Sequence, residues 1–106
     1  MVSKIFFNNK WNNSLSKKIF MRKSLIDNNF FKYSECNSKD INHVVKSAKI
    51  GAKNNKKLSR YEISKYLKKI SIKINSNKYK IAKLQSQETG KPLSQSIKEI
   101  EYCVKL

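Results

Sequence analysis

Apolar residues recur three and four positions apart along the last two thirds of the chain. Ile41, Val44, Val45 and Ala48 fall at i, i+3, i+4 and i+7, which puts them on one face and predicts an amphipathic helix over about 38–50. Asn37 or Ser38 stands at its cap position, Asp40 places negative charge in the first turn, and Gly51 marks the expected end. Ile63, Leu67, Ile70 and Ile74 repeat at intervals of four, three and four, predicting a second helix over about 59–74. Ser59 and Glu62 have the spacing of a capping box, in which each side chain satisfies a backbone donor of the other. Lys65, Lys68, Lys69 and Lys73 take the opposite face. Past a polar break at 75–77, Ile81 and Leu84 resume the apolar face in a third helix, about 77–88. Leu93, Ile97, Ile100 and Val104 stripe a fourth over about 93–106.

Between the last two helices, Gly90 suits the left-handed position past a helix end, and Pro92 can begin a helix but not continue one. The first third reads differently, with strands expected across about 4–33. Residues 4–7 are strand formers, and the pair Asn8, Asn9 tolerates positive φ, so a tight hairpin returns through Trp11. Lys18, Ile19 and Phe20 suggest a further strand. Asp27 and Asn28 would bend the backbone through side-chain hydrogen bonds, and Phe30, Phe31 and Tyr33 supply a short strand with one buried face. The one histidine, His43, lies off the apolar stripe and reads as a surface residue.

At 106 residues the chain fits one small domain or part of one. Charge widens the functional choice. Lys and Arg number 24 against 7 Asp and Glu, a formal +17, which is an electrostatic footprint for nucleic acid or an anionic surface. The cations are almost all lysine, spread over every segment; arginine, the better phosphate fork, occurs only at Arg22 and Arg60. A general solvated lysine surface accounts for that pattern, with a small basic helical nucleic-acid-binding protein as the alternative and a pure interaction module as a third. Cys36 and Cys103 have no CxxC spacing and no nearby histidine, which argues against a zinc site or disulfide framework and for reduced thiols in the cytoplasm. No apolar run approaches a bilayer span, so no membrane partner is expected. Acidic residues are absent before Asp27 as in a transit peptide, but without the arginine and serine richness of one.

Glu88-Thr89-Gly90-Lys91-Pro92, with Leu84 four residues before it and Glu99-Ile100-Glu101-Tyr102 after it, resembles the N-terminal region of the aldehyde dehydrogenase superfamily. The opening FFNNKW is similar to that family's hairpin, with Asn9 in a glycine place and Lys10 in an acidic one. SKDINHVVKSAKIG lines up on its first helix. The bend at residues 24–29 departs from the family pattern, with Leu25 for proline and Asn28 for glycine. The likeness covers nearly the whole chain in order. It implies an α/β fold, the N-terminal part of a coenzyme-binding domain built on a parallel sheet, within which this chain is mainly helical behind an N-terminal hairpin or short strands.

The resemblance further implies an oxidoreductase that uses NAD or NADP to oxidise an aldehyde to a carboxylic acid, and a homo-oligomer in the full-length family. Family members are several times longer, and their cysteine nucleophile, general-base glutamate and nucleotide-binding residues lie beyond the equivalent of Leu106. Neither cysteine here sits in the family's Gly-Gln-x-Cys setting. Residues 1–106 are therefore expected to be a partial N-terminal segment: a fragment, a truncated product or one piece of a split enzyme whose partner is the rest of the fold. No catalytic or cofactor-binding residue, no cofactor for this chain alone, no activity and no specific nucleic acid are expected. By the same resemblance Glu99 and Cys103 lie near the mouth of the aldehyde tunnel. Glu88, with backbone oxygens of Arg22 and Lys23, matches a monovalent-cation site of some members.

Overall fold

The computed structural model describes residues 1–106 and carries five short strands followed by four helices: β1 (Val2–Ser3), β2 (Ile5–Phe7), β3 (Lys10–Asn12), β4 (Ile19–Lys23), β5 (Phe30–Ser34), α1 (Ser38–Asn55), α2 (Arg60–Ser76), α3 (Lys78–Thr89) and α4 (Leu93–Lys105). They form two units, Met1–Arg22 with Phe30–Leu58, and Lys23–Asn29 with Ser59–Leu106.

In the first unit the expected hairpin is present. Asn8 and Asn9 take φ of 53° and 59°, the left-handed pair that lets a two-residue turn match the twist of its strands. β2 and β3 pair antiparallel with Phe6 opposite Trp11, and those rings meet edge-on at 5.1 Å. The Asn12 amide donates to the carbonyls of Phe7 (3.1 Å) and Lys10 (2.8 Å), bracing the turn from inside. A second sheet runs β1-β5-β4, its β1–β5 pair parallel with Val2 opposite Lys32. Phe20 and Tyr33 stack in it at 5.3 Å. Lys17 also has positive φ, 55°, in a tight corner where its N–H meets the Ser14 carbonyl at 3.3 Å. Nothing in its side chain predicted that.

Asn37 caps α1. Its side-chain oxygen accepts from the Asp40 N–H at 3.0 Å, and Asp40 accepts from the Asn37 N–H at 3.1 Å. The other Asp40 oxygen accepts from the Leu15 N–H at 2.8 Å, so a residue read as a helix-dipole charge also fastens the preceding loop. The helix runs to Asn55, five residues past the expected end at 50. Gly51 has no positive φ and no neighbour within 4 Å of where a Cβ would stand. It is an ordinary interior residue, and its entropic cost of about 0.5–1 kcal/mol is too small to stop a helix that continues through Ala52 to a Lys56 N–H bonded to the Ala52 carbonyl. His43 is exposed, as expected of a surface residue, although its ring sits edge-on to Phe7 at 6.1 Å.

In the second unit Ser59 and Glu62 form the predicted capping box, with the Ser59 N–H on the Glu62 carboxylate at 2.7 Å and the Glu62 N–H on the Ser59 hydroxyl at 3.2 Å. α2 extends two residues beyond the expected 74. Asn77 alone separates it from α3, and its amide donates to the Lys73 carbonyl at 2.9 Å, occupying an end group of α2. α4 packs against both α2 and α3, and the Ser71 hydroxyl donates to the Val104 carbonyl at 3.0 Å.

The predicted stripes exist as helix faces but are scarcely covered. Ala82 is the single buried hydrophobic residue, whereas Ile41, Leu67 and Ile70 remain 55, 60 and 53% exposed. Most of the fully enclosed side chains are polar: Asp40, Ser86 and Ser96.

Candidate functional site

The corner from α3 into α4 is densely hydrogen-bonded. Gly90 ends α3 at φ 75° and its N–H bonds the Ser86 carbonyl at 2.9 Å, the left-handed cap expected there. Thr89 donates its hydroxyl to the Gln85 carbonyl at 2.7 Å and accepts from the Lys91 N–H at 3.3 Å. The Pro92 carbonyl then receives the first N–H groups of α4, from Gln95 (3.0 Å) and Ser96 (3.2 Å). Under the corner the Ser86 and Ser96 hydroxyls share a hydrogen bond of 3.0 Å, both side chains buried. Neither serine was singled out from sequence. The available signal was a hydroxyl one turn from an apolar residue at each place, Ala82 then Ser86, and Ser96 then Ile100.

The bend at 24–29 belongs to the same unit. Ser24 makes it: its N–H bonds the Asn29 carbonyl at 2.8 Å, and its hydroxyl accepts from the Ile26 and Asp27 N–H groups, each at 3.3 Å. Of the two residues expected to do this, Asp27 contributes, accepting from the Asn29 N–H at 3.0 Å, while Ser24 takes the part given to Asn28. The bend is then clasped to α3. The Leu25 N–H donates to the Gln87 carbonyl at 2.7 Å, the Gln87 amide donates to the Asp27 carboxylate at 2.8 Å, and the Leu25 side chain lies 3.6 Å from where a Gly90 Cβ would stand.

The Gln87 amide, then the Asn29 N–H and the Ser24 hydroxyl, lower the Asp27 pKa from 3.8 to about 2. Because the folded value is depressed, the stabilisation is complete above the unfolded pKa and fades as pH falls from 3.8 towards 2. A carboxyl carbon titration of the folded protein is expected to place the Asp27 midpoint near 2, and Gln87→Ala should raise it part of the way towards 3.8, the Asn29 and Ser24 bonds remaining. A midpoint unchanged by that substitution would exclude the clasp.

Glu99 accepts from the Gln85 amide at 2.5 Å and from the Lys91 ammonium. Those partners, Lys91 first, hold its carboxyl below the ordinary range, which suits a surface ion pair and not a general base. Cys103 follows one turn later on α4 as an exposed free thiol, and Cys36 is likewise exposed and free. Glu88 is exposed in the last turn of α3. Lys78 and Glu101 form a second pair at 2.9 Å, joining the start of α3 to α4; the Lys78 pKa is raised and the Glu101 pKa lowered, each chiefly by hydrogen bonding to the other. The structure thus puts Glu88 and Glu99 on either side of one corner, but it assembles no group of three acidic, histidine or cysteine side chains able to hold a metal ion.

Comparison with known proteins bears on the whole chain. The model of the aldehyde dehydrogenase family matches residues 11–106. A solved structure, the NAD-dependent aldehyde dehydrogenase from Sinorhizobium meliloti, superposes with a TM-score of 0.90 at 21% identity, over 99% of this chain and 22% of that one. No curated protein matches. The chain spans under a quarter of the length of the solved enzyme.

Proposed function

Because this chain belongs to the aldehyde dehydrogenase family, we propose that it serves as the N-terminal scaffold segment of an NAD(P)-dependent enzyme that oxidises an aldehyde to a carboxylic acid, upstream of that enzyme's catalytic and nucleotide-binding residues. The observation that supports this is the uncovered apolar faces: a chain whose helices stay half exposed along their stripes is built to receive more of a fold. Its own residues do not fit a nicotinamide dinucleotide. The only glycines are Gly51, inside α1, and Gly90, ending α3, so no glycine-rich turn opens a helix towards a pyrophosphate. Within this reading the rest of the fold is the partner, Glu99 and Cys103 flank the approach of the aldehyde, and the Glu88 carboxylate with main-chain oxygens serves a monovalent cation, for which hard oxygen ligands are suited.

The coding sequence beyond Leu106 tests the proposal. An in-frame continuation carrying Gly-Gln-x-Cys is expected, and a continuation into an unrelated fold would overturn it.

The isolated chain should reduce neither NAD nor NADP with any aldehyde, since neither of its cysteines sits in a Gly-Gln-x-Cys setting. Reduction above a buffer blank that Cys103→Ala abolishes would reverse this conclusion.

Nucleic acid should bind weakly and without sequence preference, losing affinity steeply with salt. Two of the exposed tyrosines already have a lysine beside the ring, the Lys65 ammonium 4.5 Å from the Tyr61 centre and that of Lys69 5.9 Å from Tyr66. Submicromolar binding to one sequence at physiological salt, absent with a scrambled control, would favour the basic-protein alternative.

A further inference from the structure

We draw no further inference here: the strongest candidate, the open groove between α2 and α4 lined by Ile63, Leu67 and Val104 with Arg60 and Lys68 beside it, belongs to the uncovered faces that the proposed function already assigns to the rest of the fold, and nothing in the structure shows what else would cover it.

Discussion

Heated alone at low concentration, the 106-residue chain is expected to lose helicity gradually, without a sharp transition. Ordering backbone costs roughly 1–2 kcal/mol per residue. A fully buried leucine or isoleucine would return about 1.5–3 kcal/mol, but this chain encloses none; its one buried hydrophobic is Ala82. A formal charge of +17 adds self-repulsion. Local signals survive that deficit. The capping boxes at Asn37 and Ser59 should keep α1 and α2 partly helical, as marginal helices are. Circular dichroism should therefore show partial helicity with a broad melt, and methyl resonances should be poorly dispersed. Supplying the rest of the aldehyde dehydrogenase family's fold should convert this to one cooperative transition. A sharp melt of the isolated monomer with dispersed methyl signals would mean that the half-exposed stripes suffice.

The second large effect is expected at Ser96, which is 0% exposed with its hydroxyl 3.0 Å from that of Ser86. Ser96→Leu forces three extra carbons into the α3–α4 contact and leaves the Ser86 hydroxyl buried without its partner. Overpacking and the orphaned hydroxyl together should cost on the order of 2–5 kcal/mol in the folded protein, read as lost amide-exchange protection along α4. Replacing both serines by alanine removes donor and acceptor together and should cost less than the sum of the two single alanine variants. Additive alanine effects would show that the hydroxyls do not act as a pair.

What could be read ahead of the structure was local. The capping box at Ser59, the asparagine turn, the glycine end of α3 and all four helices each rest on residues within a few positions of one another. What the sequence did not reveal depends on distance or on absent competition. Gly51 looked like a stop because glycine favours helix ends, yet one glycine with a good helix former behind it is not a sufficient penalty. Asp40 was placed in its helix, but its hold on Leu15 lies 25 residues away. Glu99 was named by resemblance, while the groups that engage it come from other segments, Gln85 from α3 and Lys91 from the corner. Periodicity located the stripes; it gives no account of how much of each stripe this chain covers.

The clasp between Asp27 and Gln87 joins residues 60 apart, and that separation has a consequence during synthesis. At a ribosomal rate of roughly 5–20 residues per second, the bend waits about 3–12 s for Gln87 to be made. Through that interval it rests on local bonds, among them the Ser24 and Asp27 contacts that close the turn within six residues. A nascent chain stalled before Gln87 should therefore leave the Leu25 backbone open to protease, and one long enough to supply the rest of the fold should protect it.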